Sequence, residues 1–259
     1  MARAVLPGVA ALPQTLRERP VAHRALHCAV AGRPENSRAA VAAAVEAGYG
    51  IEIDVQLSAD GRAMVFHDET LDRLTGESGP LVARDAAELG AIRLRHSREG
   101  IPRLGEILAL VAGRVGLLIE LKDPTGDLDA TDGRLEAAVA AELAGYDGPV
   151  AVMSFNPAMV ARMGALLPGV ARGLTTSAYD PDDWAPLAHE TCDRLRAIPD
   201  YESTGAAFLS HEWTDLGRAR VRELVAGGAA LLCWTVRTPE AAARAQAQGA
   251  NITFEGFLP

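Results

Sequence analysis

Short apolar runs alternate with Ala-rich stretches along most of the chain. The apolar runs predict strands over 21–24, 50–57, 63–67, 116–121, 150–155, 170–175, 206–211, 230–236 and 251–255. Several are apolar almost without a break, as strands buried on both faces of a parallel sheet are. Helical periodicity falls between most of them, over 37–47, 106–112, 133–143, 157–166, 216–226 and 238–248. Asn36 or Ser37 can cap the first of these helices, with Gly48 just past its end. Thr238-Pro239-Glu240 reads as an N-cap followed by proline at the first helical position.

Repetition of strand and helix at this length predicts an α/β fold, a TIM (β/α)8 barrel. Nine strands are one too many for it. The two runs 50–57 and 63–67 are separated only by SADGR, whereas a parallel crossover needs a dozen or more residues. They must therefore pair as an antiparallel hairpin around Asp60-Gly61, leaving one member outside the strict barrel. A doubly wound open sheet is the alternative, weakened because no GxGxxG or P-loop fingerprint follows any strand. The least regular stretches, 69–100 and 177–201, read as loops or insertions on one domain spanning 1–259, with the barrel from about residue 21.

Parity along the strands places the chemistry. Glu52 and Asp54 share one face of a strand and Ile53 takes the other. Two carboxylates flanked by Ile51 and Val55 repel each other and are costly to desolvate, which points to a divalent cation, magnesium or calcium, on hard oxygen ligands. A two-residue turn at Asp60-Gly61 sets His67 opposite Asp54, and one at Ala59-Asp60 sets it opposite Glu52. Only an odd-length loop sends His67 to the other face. A histidine beside two carboxylates and a metal is a candidate general acid or base. Leu117–Leu121 repeats the pattern, with Glu120 and Lys122 two apart on one face at a strand's C-terminal end, where barrel active sites lie. Glu120 offers a third carboxylate and Lys122 a counter-charge or anion contact. The first strand ends in His23-Arg24, and arginine suits phosphate or carboxylate.

The charge balance changes the picture of partners. With 25 basic and 34 acidic side chains the formal charge is −9, which argues against a nucleic-acid partner. At 259 residues, 49% apolar and 23% charged, disordered and fibrous classes are excluded. The longest apolar run, 224–236, is too short to span a bilayer, so no stable membrane insertion is expected. Pro7 and Pro13 interrupt the weakly apolar start, which argues against a signal peptide. Cys28, Cys192 and Cys233 are odd in number and contain no CxxC, which fits reduced thiols and a cytoplasmic location. Cysteine nucleophily is disfavoured against buried filler. His96, His189 and His211 are read as structural, and Ser154 and Ser210 lie outside any GxSxG.

These segments together resemble the glycerophosphodiester phosphodiesterase family. The resemblance rests on AHRALH (22–27), PENS (34–37), GYGIEIDVQLSADGRAMVFHDETLDRLTG (48–76), IPRLGEIL (101–108), LLIELK (117–122), SFNP (154–157), CWTVR (233–237) and ITFEG (252–256). It implies a TIM barrel, with Glu52, Asp54 and Glu120 as ligands of a divalent metal. It implies that His23 and His67 are the acid–base pair, that Arg24 and Lys122 contact the phosphate, that Glu35 and Asn36 support the site near His23, and that Trp234 lines the cleft mouth. The implied reaction is metal-dependent hydrolysis of a small glycerophosphodiester to glycerol 3-phosphate and an alcohol. The resemblance implies a glycerol hydroxyl as the nucleophile, with water opening the resulting cyclic phosphate. Lysophospholipase D activity on the same site, with Phe155, Trp184 and Trp213 seating an acyl chain, is an alternative, although packing suits these rings as well. A non-catalytic phosphate-ester binder is another.

Some positions depart from the family pattern. Ala25 replaces a glycine after His-Arg, so a glycine-only backbone angle is expected to be lost. The loop from His23 to Pro34 is longer than the common form. Arg237 replaces an asparagine, and Phe-Glu-Gly replaces a common Thr-Asp. Three carboxylates, a divalent cation, Arg24 and Lys122 would leave the pocket locally positive on an acidic protein.

Overall fold

The structure, a computed structural model, describes residues 10–259. Residues 1–9 of the weakly apolar start, including Pro7, lie outside them, whereas Pro13 is described and precedes the first helix. Eight parallel strands close into a TIM barrel: β1 (Val21–Ala22), β2 (Gly50–Leu57), β4 (Leu117–Leu121), β5 (Val150–Ser154), β6 (Ala171–Thr176), β7 (Phe208–Glu212), β8 (Ala230–Val236) and β9 (Asn251–Phe254). Closure comes from the short β1, which pairs with β9 on one side and β2 on the other. The ninth strand, β3 (Ala63–Val65), pairs antiparallel with Val55–Leu57 of β2. Val55 also pairs with Leu121, so β3 occupies the edge of β2 that β1 has left.

Strand parity sorts two cores. Ile51, Ile53 and Val55 of β2 point outward and pack with helix residues such as Val41, Leu104 and Val111. Leu118, Ala151, Met153, Ala171, Phe208 and Leu232 point inward and fill the barrel, with Val21 and Leu16 below them. Leu16 sits on α1 (Gln14–Glu18), a helix the apolar pattern does not predict because it is too short to show periodicity. The Asn251 amide donates to the carbonyls of Leu16 and Arg19 and holds this plug against β9.

Local signals set the outer helices. α2 (Arg38–Ala47) starts at Ser37, whose hydroxyl accepts from the Ala40 N–H, and stops at Gly48 in a left-handed conformation, φ 74°. α6 (Pro157–Leu166) is capped by Asn156 and α9 (Pro239–Gln246) by Thr238, each with proline in the first turn. α4 (Leu104–Val111), α5 (Arg134–Leu143) and α8 (Ala219–Ala226) complete the layer.

Both irregular stretches carry structure of their own. The segment after β3 holds α3 (Ala86–Ala91) and a separate core of Phe66, Leu71, Leu81, Leu89, Leu94 and Ile101. The segment after β6 holds α7 (His189–Arg196) and packs Cys192, Leu195 and Tyr179 together. α3 is too short for apolar periodicity to reveal, and α7 (HETCDRLR) is as long as α4 but has only Cys192 and Leu195 as apolar positions. Among the described residues no helix is long and apolar enough to cross a membrane. The three cysteines are free. Cys192 and Cys233 are fully buried, and burial pushes the Cys233 thiol up to about 12, while Cys28 is half-buried and so not filler.

Candidate active site

A cleft of about 430 Å³ opens at the C-terminal ends of the strands. Its lining includes His23, Arg24, Glu52, Asp54, His67, Glu120, Lys122 and Trp234, the residues singled out from sequence. Glu35 and Asn36 stand behind this lining.

The acidic centre is built by adjacent strands. β2 and β4 pair with Asp54 beside Glu120, and Glu52 lies one inward position below Asp54. One carboxylate oxygen from each of Glu52, Asp54 and Glu120 falls within 4.8 Å of the others, and all three side chains are buried. Burial and then the charges of Asp54 and Glu120 push Glu52 well above the usual carboxylate range. For Asp54, burial acts upward but is outweighed by Lys122, His67 and Arg24, which hold it well below its usual value. Lys122 sits 3.0 Å from Glu120 and 3.7 Å from Asp54, and those carboxylates raise it against the effect of burial. The donor set fits a hard divalent cation: three convergent buried carboxylates, one of which is driven toward its neutral form without a counter-charge.

The loop after β1 wraps this centre. The Arg24 backbone N–H donates to Glu52 at 2.8 Å, and its guanidinium donates to Glu35 at 2.7 Å. Asn36 donates its amide to the Asp54 carboxylate at 2.9 Å and accepts from the Asp54 backbone. Asn36 therefore supports Asp54 and, through its backbone N–H to the Arg24 carbonyl at 2.9 Å, the turn next to His23, while Glu35 supports Arg24. Arg24, Ala25 and Asn36 all have positive φ, 51°, 64° and 58°. Ala25 thus keeps the glycine-type angle that its Cβ was expected to forbid, with its methyl buried in the core.

The two histidines arrive by different routes. His23 follows β1 directly, and its Nδ1 lies 2.7 Å from Glu255, just past β9. That hydrogen bond, opposed by burial, holds the Glu255 carboxyl down to about 2. Arg237 also donates to Glu255, at 3.3 Å, so two departures from the family pattern meet each other. His67 overturns the register expectation. Leu57 pairs with Ala63, which leaves an odd-length loop and puts position 67 on the Ile53 side. The strand ends at Val65, however, and the Gln56 amide donates to the carbonyls of Phe66 and Asp68. This clamp turns the chain so that His67 enters the cleft. Its Nδ1 lies 2.8 Å from Asp68, and burial lowers its pKa against the pull of Asp54. In each histidine a carboxylate takes Nδ1, which leaves Nε2 available to a substrate.

The other half of the mouth is rich in aromatic rings, which stand beside Ser177, Asp183, Glu212 and Arg237. Phe155, Trp184, Trp213 and Trp234 line it, and Phe155 contacts both Trp184 and Trp234 at centroid distances of 5.0 and 5.4 Å. The Trp234 indole N–H donates to the Ser210 carbonyl, which fixes its ring. His211 is fully buried between Thr176 and Asp215 and is structural.

Sequence reading missed Asp68 and Arg73 and noted Glu255 only as a departure. An acid directly after a candidate histidine was the one local signal for Asp68.

Residues 23–253 match the sequence model of the glycerophosphoryl diester phosphodiesterase family. A Bacillus subtilis relative provisionally named glycerophosphodiester phosphodiesterase YhdW is 28% identical over 84% of this chain and 87% of its own. A phosphodiesterase of Oleispira antarctica, solved in complex with the product sn-glycerol-3-phosphate, is 28% identical, with a TM-score of 0.73 over 90% of this chain and 91% of its own. A glycerophosphodiester phosphodiesterase from Agrobacterium tumefaciens is 26% identical, with a TM-score of 0.63 over 90% of this chain and 93% of its own. Barrel, cleft and matched sequence agree, and the chain belongs to the glycerophosphoryl diester phosphodiesterase family of phosphoric diester hydrolases.

Proposed function

We propose that this protein hydrolyses small glycerophosphodiesters to glycerol 3-phosphate and a free alcohol, using a divalent metal on Glu52, Asp54 and Glu120. The observation that carries this reading is the convergence of those three carboxylates with His23, His67, Arg24 and Lys122 in one cleft. Magnesium or calcium, when bound there, supplies Lewis-acid polarisation of the phosphoryl oxygens. Arg24 and Lys122 stabilise negative charge on those oxygens in the transition state.

One imidazole Nε2 takes the proton of a glycerol hydroxyl as its oxygen bonds to phosphorus. The bond from phosphorus to the departing alcohol breaks, and the other imidazolium returns a proton to that alcohol. The cyclic phosphate is opened by water with the two roles reversed. Glu255 and Asp68 each take the Nδ1 proton of one ring and so turn Nε2 toward the substrate, free in the ring that acts as base and protonated in the ring that acts as acid. The aromatic half of the mouth seats the alcohol. It also favours a second reading, lysophospholipase D activity, because the rings that line it suit an acyl chain.

The test is a panel on metal-stripped protein resupplied with magnesium, calcium or manganese. Glycerophosphocholine, lysophosphatidylcholine and an oligonucleotide are offered side by side. Metal-dependent release of glycerol 3-phosphate from the first supports the main reading. Exclusive turnover of the second replaces it, and turnover of none overturns both.

A further inference from the structure

We propose that Arg73, a residue outside the cleft lining, is a positioning residue that locks the His67 imidazole and the Arg24 guanidinium into one arrangement. This inference rests on the reading of His67 and Arg24 as reaction residues. One guanidinium holds two carboxylates at once. Its Nε and one terminal nitrogen donate to Asp68 at 2.6 and 2.7 Å, and its two terminal nitrogens donate to Glu35 at 2.8 Å each. Asp68 in turn takes Nδ1 of His67, and Glu35 takes the Arg24 guanidinium. A continuous ionic chain thus runs from the histidine, through Arg73, to the residue beside Glu52 and Asp54. Hydrogen bonds from Arg73 lower both Glu35 and Asp68 below their usual range against the effect of burial, so both stay ionised acceptors.

Arg73 is itself held from behind. Leu71 is fully buried in the separate core of the segment after β3, and Arg95 donates to the backbone carbonyls of Asp72 and Arg73. That small core therefore has a use beyond covering the hairpin, since it presents one arginine at a set position. The Arg73 side chain is about half exposed, at 48%. Exposed ion pairs add little stability, so the value of this one lies in geometry. A lysine cannot replace it, because one ammonium lacks the planar fork that serves two carboxylates.

The experiment uses the full, metal-loaded chain with glycerophosphocholine and compares Arg73→Ala, Arg73→Lys, Asp68→Asn and the double variant Arg73→Ala/Asp68→Asn. Arg73→Ala is expected to lower kcat about 10- to 100-fold, as loss of an orienting partner does, with KM within about threefold. Arg73→Lys recovers only part of that loss. The double variant falls within about threefold of the worse single variant, because both act through one chain. NMR of histidine-labelled protein without substrate follows the hydrogen-bonded Nδ1 proton of His67, expected in the wild type and lost in Arg73→Ala. Wild-type kcat in Arg73→Ala, full recovery by lysine, or multiplying losses in the double variant each overturn the proposal. If the wild type hydrolyses no diester, the reaction reading fails on its own. The NMR comparison then still decides whether Arg73 fixes His67.

Discussion

The two halves of the barrel mouth are built on opposite principles. Around β1, β2 and β4 the lining is ionic, and nearly every charged group there is gripped by another. Around β5 to β8 it is dominated by rings held by edge and tilted packing, with Asp183, Glu212 and Arg237 standing among them. In the proposed reaction the ionic half carries the groups whose orientation decides bond making, so small displacements should be costly there. The aromatic half offers area and shape, which tolerate exchange better. Chemistry should therefore be lost by changes on one side, and substrate preference altered by changes on the other.

The largest effect is expected from Glu52→Ala or His67→Ala. Either should lower kcat at least about 10³-fold while circular dichroism and the melting temperature show a folded barrel. Retained turnover in a folded variant would sink the assignment. Stripping the metal should have the same effect and be reversed by adding it back.

Next in size is the aromatic half. Trp184→Ala should raise KM for the preferred diester about tenfold and leave kcat within about threefold, the loss of one stacked contact. A collapse of kcat instead would show that the two halves are not separable.

A smaller effect concerns pH. The Glu255 carboxyl is held down to about 2 by its hydrogen bond from His23. A depressed acid contributes stability above its ordinary value near 4.5, and that contribution disappears as pH falls toward 2. Glu255→Gln should therefore flatten the acid limb of the stability curve over that window, by roughly 1–3 kcal/mol. Urea midpoints measured across the window would expose an unchanged limb.

The smallest effect is expected at Ala25. A left-handed angle costs a non-glycine residue about 1 kcal/mol. Replacement by glycine relieves this but adds about 0.7 kcal/mol of unfolded-chain freedom and removes a buried methyl worth about 0.8 kcal/mol. Ala25→Gly should leave stability within about 1 kcal/mol of wild type. A larger shift in the denaturation midpoint would mean the loop holds strain beyond the angle itself.

Much of the ionic half was legible before any fold was known. Parity along β2 and β4 put Glu52, Asp54, Glu120 and Lys122 on inward faces, and the structure keeps them there. His67 was placed in the right cleft by the wrong register. A one-residue change in loop length reverses parity, and only the Gln56 clamp restores the outcome. Phe155, Trp184 and Trp213 were visible as aromatic residues, but sequence could not separate lining from packing.

The order of residues by itself determined the barrel, the acidic centre and the family, because strand alternation and motif spacing are local properties. Only the tertiary structure decided the partners. Glu255 lies 232 residues from His23, and Arg73 lies 38 from Glu35. No local pattern records such pairs. Closure of β1 onto β9 brings the first pair together, and the small core after β3 presents Arg73 to the second.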